Sequence, residues 1–301
     1  MKQIALIGPT ASGKSALAID LATQNNAYIL SLDSLSIYKE IDIASAKPSA
    51  EELSQVKHFG VNLIEPNVEF SVGVFIKEYL RIQELCLREN KNLVIVGGSS
   101  FYLRTLVQGL SPIPEFSDET VTKVQELLLD LKTAYKTLYE VDAEYMQGIQ
   151  ESDTYRIRKM LLIYVHTGLG PTQYFKENPP VPVIKDIPIY EIDVKRDYLR
   201  KRIVLRTQKM LEMGLIDEVC YLEQKYTRAP NALKAIGIIE VFEYLDAKVT
   251  KDEMKELIIT HTAQLAKRQQ TFNRNQFPSR ELLSIEAIYE KANAFFKKTK
   301  N

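Results

Sequence analysis

Short apolar runs alternate with helix-like segments over the first 110 residues of the chain. The apolar runs, which we predict to be strands, are residues 4–7, 28–32, 61–64 and 93–96. Between the last two, apolar residues within 74–90 recur with the spacing of a helix. Continuous apolar strands that alternate with helices are typical of a parallel sheet covered on both faces. The pattern predicts an α/β fold whose ligand site lies beyond the carboxyl ends of the strands.

From about Pro112 onward the chain contains helix-like segments without apolar strands, and helices are predicted over 120–139 and 155–167. Residues 115–152 carry nine acidic residues and three lysines. We interpret most of these charged side chains as a solvated face. Glycine- and proline-rich breaks follow at 168–171 and 179–182. We therefore predict a mainly helical insertion domain over 115–182, set into a core domain formed by 1–114 and 183–301.

Beyond the insertion, the pattern predicts a strand over 187–194, a helix over 198–213 that Gly214 ends, and helices thereafter. Two segments of this part are basic. Residues 195–209 contain seven basic groups against one aspartate, and residues 257–280 contain four basic groups and no acid.

Composition limits the class of protein. The formal net charge is zero, so a nucleic-acid site would have to be a local basic patch. The two cysteines lie in helix-like runs, and we expect buried thiols in a reducing compartment. The three histidines have no metal-ligand spacing. We find no apolar stretch of membrane-spanning length and no signal peptide, and therefore expect a soluble cytoplasmic protein.

A glycine-rich segment between the first predicted strand and a helix has the pattern of a phosphate-binding loop. Its eight residues are Gly8, Pro9, Thr10, Ala11, Ser12, Gly13, Lys14 and Ser15. The glycines let successive N–H groups point at an anion, and the helix N-terminus adds partial positive charge. Lys14 supplies a full charge, and the Ser15 hydroxyl can reach Mg²⁺. The alternative is an ordinary strand-to-helix turn, but the context favours a phosphate or diphosphate site.

Asp33 directly follows the second predicted strand, on the side where ligands bind. A carboxylate there can bind magnesium indirectly, act as a general base, or accept a hydrogen bond from a substrate N–H. It can also simply cap a helix.

Two basic segments are candidates for anion or nucleic-acid binding. Arg202 and Arg206 are four residues apart, so they share a helix face that could clamp a diphosphate. Residues 266–274 interleave basic, amide and aromatic groups, which suits a phosphate backbone and splayed bases. Both segments are also compatible with ordinary solvated helices.

Together these segments resemble the tRNA dimethylallyltransferase (isopentenyl-tRNA transferase) family. The segments that carry the resemblance, in family order, are 8–15, 33–34, 37–38, 42–48, 96–99 with Tyr102, Asp153 with 156–157, 202–219, 235–237 with Glu240, and 266–269 with Thr271 and Arg274. The runs 33–48 and 266–274 are more specific than a phosphate-binding loop alone. The resemblance implies the fold of the P-loop NTPases, with an added helical domain that contacts tRNA.

The chain departs from the family pattern at a few positions, which suggests a divergent member. Ser99 and Ser100 stand where the family has Thr-Gly, Leu162 replaces a glutamate, and Phe272 replaces a tryptophan. These changes bear on RNA contacts more than on the reaction.

The family resemblance implies transfer of a dimethylallyl group from dimethylallyl diphosphate to N6 of adenosine 37, next to the tRNA anticodon. It implies that Asp33 is the general base, and that Thr10, Lys14 and Arg206 stabilise the leaving diphosphate, with Mg²⁺ held near Ser15. The implied tRNA-binding residues are Asp33, Ser34, Leu35, Ser36, Ser99, Arg156, Arg158, Lys267, Arg268, Gln269 and Arg274. A monomer that binds the tRNA anticodon loop and requires Mg²⁺ is expected.

Three other functions remain open from the residues. A P-loop small-molecule kinase would use ATP and Asp33, but would leave the basic C-terminal helix unexplained. A nucleotide-gated RNA-binding protein would need no base at Asp33. An enzyme that prenylates free adenine nucleotides would share the core without needing the basic patch.

Overall fold

Within residues 1–298, which the computed structural model describes, the strands form one six-stranded sheet. The strands are β1 (Gln3–Ile7), β2 (Ala27–Ser31), β3 (His58–Phe59), β4 (Asn92–Gly97), β5 (Ile189–Ile192) and β6 (Glu281–Leu283). Their order is β3-β2-β4-β1-β5-β6, and every neighbouring pair is parallel. The predicted α/β class with a parallel sheet is confirmed.

The chain divides into two compact units, of which the first comprises residues 1–107 and the chain from Ile184 onward. Its early helices are α1 (Lys14–Gln24), α2 (Ala50–Gln55), α3 (Val72–Arg88) and α4 (Ser100–Gln108). Ile4 and Leu6 of β1 pack in one cluster with Leu17 and Leu21 of α1. The alternate residue Ala5 points to the opposite face and is fully buried too. Both faces of the sheet are thus covered, as the apolar strands predict.

The second unit comprises Gln108–Val183. Its helices are α5 (Asp118–Leu127), α6 (Leu131–Val141), α7 (Ala143–Met146), α8 (Thr154–Thr167) and α9 (Pro171–Glu177). It has its own core, which includes Val124, Leu138 and Leu161. The predicted insertion, 115–182, falls inside this unit. The unit begins earlier in the chain because Leu110 forms an antiparallel bridge with Val181.

Among the residues that the structure describes, five α-helices complete the first unit after β5. They are α10 (Arg196–Glu212), α11 (Leu215–Tyr226), α12 (Ile238–Leu245), α13 (Lys251–Gln276) and α14 (Ile285–Lys297). Helix α14 packs beside α1 on the sheet, through Ile288 and Phe296. Helices α11, α12 and α13 enclose a separate cluster with Ile37 and Ile41, which lie beyond β2.

Four expectations from the sequence are wrong in detail. Residues 61–64 do not form the third strand, because Gly60 (φ +73°) and Asn62 (φ +55°) turn the chain after β3. The single helix predicted over 120–139 is two helices, because the Asp130 side chain accepts the Thr133 N–H and caps α6. The C-terminal part is not wholly helical, since β6 joins the sheet edge. Cys220 is exposed, not buried.

No helix among residues 1–298 combines the length and the apolar character that crossing a bilayer requires.

Candidate active site

The loop of residues 8–15 connects β1 to α1 through three left-handed backbone conformations. Gly8 has φ +150°, Gly13 has φ +100°, and Ala11, which is not a glycine, has φ +62°. Gly13 is the N-cap of α1, so the first free N–H groups of that helix lie at the loop. A left-handed alanine is strained by about 1–3 kcal/mol, and such strain concentrates at functional sites. The backbone has the form of an anion-binding loop.

Lys14 is buried inside this loop, with 8% of its surface exposed. Its Nζ donates hydrogen bonds to the Pro9 carbonyl at 2.6 Å and to Ser12 Oγ at 3.4 Å. Burial, together with the positive charge of Arg206, lowers the pKa of Lys14 to about 7, while the negative charges of Asp33 and Glu191 oppose that shift. The lysine therefore titrates near neutral pH until an anion enters the loop.

Arg206 projects from α10 to the other side of the loop. Its Nη1 donates to Thr10 Oγ1 at 2.9 Å. Burial lowers the pKa of the guanidinium, and the negative charge of Asp33 opposes that shift. Arg202, one turn earlier, donates instead to the Tyr198 hydroxyl at 3.3 Å. Of the two predicted clamp residues, only Arg206 reaches the loop.

Asp33 lies just beyond β2 and is half-buried. Its Oδ1 accepts the N–H groups of Leu35 at 2.8 Å and Ser36 at 3.0 Å. No helix starts at this position, so these two bonds stabilise a turn and do not cap a helix. Its second carboxylate oxygen has no hydrogen-bond partner among the described residues. One oxygen thus orients the carboxylate, and the other remains available to a substrate.

The chain beyond β4 supports the Asp33 turn. Ser99 Oγ accepts the Ser34 N–H and donates to Ser34 Oγ, both at 3.2 Å. A Cβ at Gly97 would come within 2.7 Å of the Leu32 backbone, so only glycine allows this approach. Ser99 thus retains the hydroxyl that a threonine would supply, whereas the buried Ser100 Oγ has no partner among the described residues.

Gln269 of α13 connects two of these segments. Its Oε1 accepts the Thr10 N–H at 2.8 Å, and its Nε2 donates to the Gly98 carbonyl at 3.1 Å. Both ends of the amide therefore contact protein backbone at the phosphate loop. The family resemblance implies that Gln269 binds tRNA together with Lys267 and Arg268, and helix periodicity alone does not show that its side chain contacts the loop.

The remaining candidate tRNA-binding residues fall into three environments. Lys267, Arg268 and Arg274 are exposed on α13 of the first unit, and Arg156 and Arg158 are exposed on α8 of the second. Arg156 also pairs with Asp153 at 2.8 Å. Leu35 is half-buried, and Ser36 is buried, with its Oγ 3.3 Å from Ser31 Oγ. Leu35 and Ser36 thus shape the Asp33 turn instead of presenting free side chains.

Residues 42–48 are held in place by hydrogen bonds to other parts of the protein. Glu218 of α11 accepts the N–H groups of Asp42, Ile43 and Ala44 at 2.7–2.9 Å. Lys47 donates to Asp42 Oδ1, Asn62 Oδ1 and the Tyr38 carbonyl. The sequence singled out this segment by resemblance, and the structure shows it anchoring the chain that follows Asp33.

Comparison with known proteins gives the family of the chain. A family model described as IPP transferase matches residues 36–276. The chain is 55% identical to a tRNA dimethylallyltransferase of Sulfurimonas denitrificans over 288 residues, which cover 96% of this chain and 97% of that protein. It resembles the crystal structure of the full-length tRNA isopentenylpyrophosphate transferase from Bacillus halodurans with a TM-score of 0.72 and 26% identity, covering 98% of this chain and 95% of that one.

The fold is also that of a eukaryotic dimethylallyltransferase captured in crystallographic snapshots acting on tRNA. The TM-score is 0.82 over 98% of this chain and 77% of that one, at 24% identity, which supports the fold alone. The family match and the close relative together decide the assignment: the chain belongs to the IPP transferase family.

Proposed function

We propose that this prenyltransferase moves a dimethylallyl group from dimethylallyl diphosphate to N6 of adenosine 37, beside the anticodon of tRNA, and releases diphosphate. One observation carries the proposal. Buried Lys14 and half-buried Arg206, which donates to Thr10, both lie at a phosphate-binding loop, and the negative charge of Asp33 acts on both cations. The second carboxylate oxygen of Asp33 has no hydrogen-bond partner among the described residues. That combination provides an anion-stabilising side and a proton-accepting side in one crevice.

The donor side stabilises a departing diphosphate. As the allylic C–O bond breaks, negative charge grows on the leaving group, while positive charge on the allylic carbon is shared with the double bond. Lys14 Nζ, which is buried, and Arg206 are already held by hydrogen bonds to loop atoms, so they stabilise this charge with little reorganisation. Thr10, which accepts a hydrogen bond from Arg206, fixes the guanidinium at the edge of the loop.

Magnesium is proposed as the cofactor of this side. The described residues contain no cluster of three or more His, Cys, Asp or Glu side chains that could hold a metal ion alone. The exposed Ser15 hydroxyl at the start of α1 nevertheless fits Mg²⁺, which usually takes few protein ligands and completes its shell with phosphate oxygens and water. Bound there, the ion would neutralise charge on the diphosphate.

The acceptor side activates the exocyclic amine of adenine. The N6 lone pair is delocalised into the ring, so the amine is a weak nucleophile. The free oxygen of Asp33 accepts a hydrogen bond from N6–H and takes that proton as the new C–N bond forms. Because a stacked adenine cannot enter the crevice, the target nucleotide leaves the anticodon-loop stack to react.

We assign tRNA binding to the exposed basic residues, in keeping with the functions of the relatives. Lys267, Arg268 and Arg274 on α13 are the contacts proposed in the first unit, and Arg156 and Arg158 those proposed in the second. The cytoplasm, which holds the tRNA pool, is the proposed location, and the monomer is the proposed active form.

A transfer assay tests the proposal. Radiolabelled dimethylallyl diphosphate and Mg²⁺ are incubated with unmodified tRNA, with AMP, or, in a third tube, with ATP replacing the prenyl donor. Label at the adenosine beside the anticodon is the expected result. Label in AMP would indicate the free-nucleotide enzyme, and ATP consumption without prenyl transfer would indicate a kinase.

A further inference from the structure

A buried carboxylate lies beside the phosphate loop and has no part in the proposed chemistry. Glu191 of β5 has 2% of its surface exposed. It pairs in register with Ile7, the last residue before Gly8, so it flanks the base of the loop. A buried carboxylate is costly unless it is fully paired, which makes its partners informative.

Both oxygens of this carboxylate have partners near the end of α13. Oε1 accepts Asn273 Nδ2 at 2.8 Å, and Oε2 accepts Arg280 Nε in an ion pair. The Arg280 side chain is 14% exposed, and Asn273 is fully buried. Glu191 therefore joins the sheet to the last turn of α13, through Asn273, and to the segment that follows the helix, through Arg280. Both contacts are charge-assisted, which makes them stronger and more directional than neutral ones.

Asn273, the α13 residue that Glu191 contacts, lies one helical turn after Gln269. Residues 269 and 273 are four apart, so they share a face of α13. On that face Asn273 is held by Glu191, while Gln269 contacts the N–H of Thr10 and the carbonyl of Gly98. A shift of α13 by a fraction of its pitch would break the Gln269 contacts and release Thr10, the partner of Arg206.

We propose that Glu191 is a positioning residue for the diphosphate site, because by holding Asn273 and Arg280 it fixes α13 so that Gln269 bridges the phosphate loop and Gly98. This inference rests on the proposal that the loop binds a diphosphate, but it does not require prenyl transfer.

The test is binding of inorganic diphosphate with Mg²⁺, measured by calorimetry on the full chain. Glu191→Leu removes both acceptors and is expected to weaken binding roughly tenfold, the usual effect of losing a positioned hydrogen bond. Glu191→Gln is expected to restore most of the affinity. Its amide oxygen can accept from Arg280, and its amide NH2 can donate to Asn273 Oδ1 once the Asn273 amide turns over, since Oδ1 is buried and has no partner among the described residues.

The matched control is Glu281→Gln on the adjacent strand β6. Glu281 is also ion-paired, with Lys291, but its side chain is 44% exposed and it lies away from α13's contacts with the loop. Affinity is expected to stay within about twofold of native. Should Glu191→Leu fail to fold, Asn273→Leu cuts the same link while leaving the Glu191–Arg280 pair, and the same tenfold loss is expected.

A double-mutant cycle separates positioning from general structural support. In a Gln269→Ala background, Glu191→Leu is expected to cause no further loss of diphosphate affinity, and KM for tRNA is expected to stay unchanged in the Glu191 and Asn273 single variants. Additive losses of diphosphate affinity in the double variant would overturn the inference about Glu191, and so would native affinity in a folded Glu191→Leu protein. Neither result would affect the proposed function. Failure of the native chain to bind diphosphate would overturn the proposed function as well.

Discussion

Two positively charged regions of the first unit differ in how their charges are held. In the crevice, Lys14 is buried, Arg206 is half-buried, and both are hydrogen-bonded to loop atoms. On α13, Lys267, Arg268 and Arg274 are exposed, and they form no hydrogen bond or ion pair with the described residues. The sequence alone presents Arg206 and the α13 residues alike as members of basic helices, but of these only Arg206 is held at the loop by a hydrogen bond.

The held charges of the crevice and the exposed charges of α13 suit two different tasks, which are transition-state stabilisation and attraction of a polyanion. Charges that stabilise a transition state act best when they are fixed and poorly solvated, since no reorganisation is needed during reaction. Charges that attract a polyanion act over a distance through solvent, and they are sensitive to salt. Mutations in the crevice should therefore affect kcat, and mutations on the exposed face should affect KM for tRNA.

The largest expected effect comes from removing Asp33. Asp33→Ala should lower kcat by roughly 10²–10⁴-fold, because it removes the proposed general base. Binding of tRNA, measured by filter retention, should be nearly unchanged. Asp20→Ala, which removes an exposed aspartate of α1, is the control. Equal loss of binding and transfer would instead make Asp33 an RNA contact.

Most of the crevice could be predicted from sequence because its parts follow strands. Asp33 follows β2 and Gly97 ends β4, and parallel strands bring their carboxyl ends to one edge. The phosphate loop has a pattern tied to backbone conformation. By contrast, the three-residue β6 is too short and too exposed to produce an apolar run.

The contacts of Gln269 and Glu191 could not be predicted in the same way. Each depends on which face of a distant element packs where, and neither is marked by local periodicity. Glu191 interrupts an apolar strand, which is a signal of an unusual buried group, but its partners are 82 and 89 positions away in the chain. Long-range pairing of this kind is visible only in the fold.

The next largest effect on kcat should come from Arg206 of α10 and not from Arg202 on the same helix. Arg206→Ala should lower kcat roughly 10²–10³-fold, because it removes an oriented donor from the leaving group. Arg202→Ala is a matched control on α10, since Arg202 bonds to Tyr198 and not to the loop. Steady-state kinetics with prenyl diphosphate measure both. Comparable losses in the two variants would mean that the whole basic face, and not the preorganised residue, supports catalysis.

The titration of Lys14 gives a smaller, pH-dependent effect. Because its pKa is lowered to about 7 in the unliganded protein, deprotonation above pH 7 should weaken diphosphate binding by up to about tenfold per pH unit. The stability of the unliganded protein should change in the opposite direction. The unfolded state binds more protons between pH 7 and the ordinary lysine pKa, so Lys14 makes stability rise with pH there.

Calorimetry at several pH values checks that diphosphate binding weakens above pH 7, and thermal unfolding checks that the stability of the unliganded protein rises. In Lys14→Arg the extra pH dependence of binding should disappear, since arginine stays protonated, while titration of diphosphate itself remains the same in both proteins. Identical pH profiles for native and Lys14→Arg proteins would show that Lys14 does not titrate in this range.

The smallest effect should come from the exposed face of α13. Lys267→Ala combined with Arg268→Ala should raise KM for tRNA several-fold to about tenfold and leave kcat nearly unchanged. The slope of log affinity against log salt should become shallower by about 0.7 for each lost phosphate contact to a single-stranded loop. Lys77→Ala with Arg88→Ala on α3 removes the same charge from another exposed helix and should change neither quantity. If both double variants shift KM equally, net charge and not the α13 face attracts the tRNA. If the α13 variant instead lowers kcat at saturating tRNA, the two basic regions act together in the transition state.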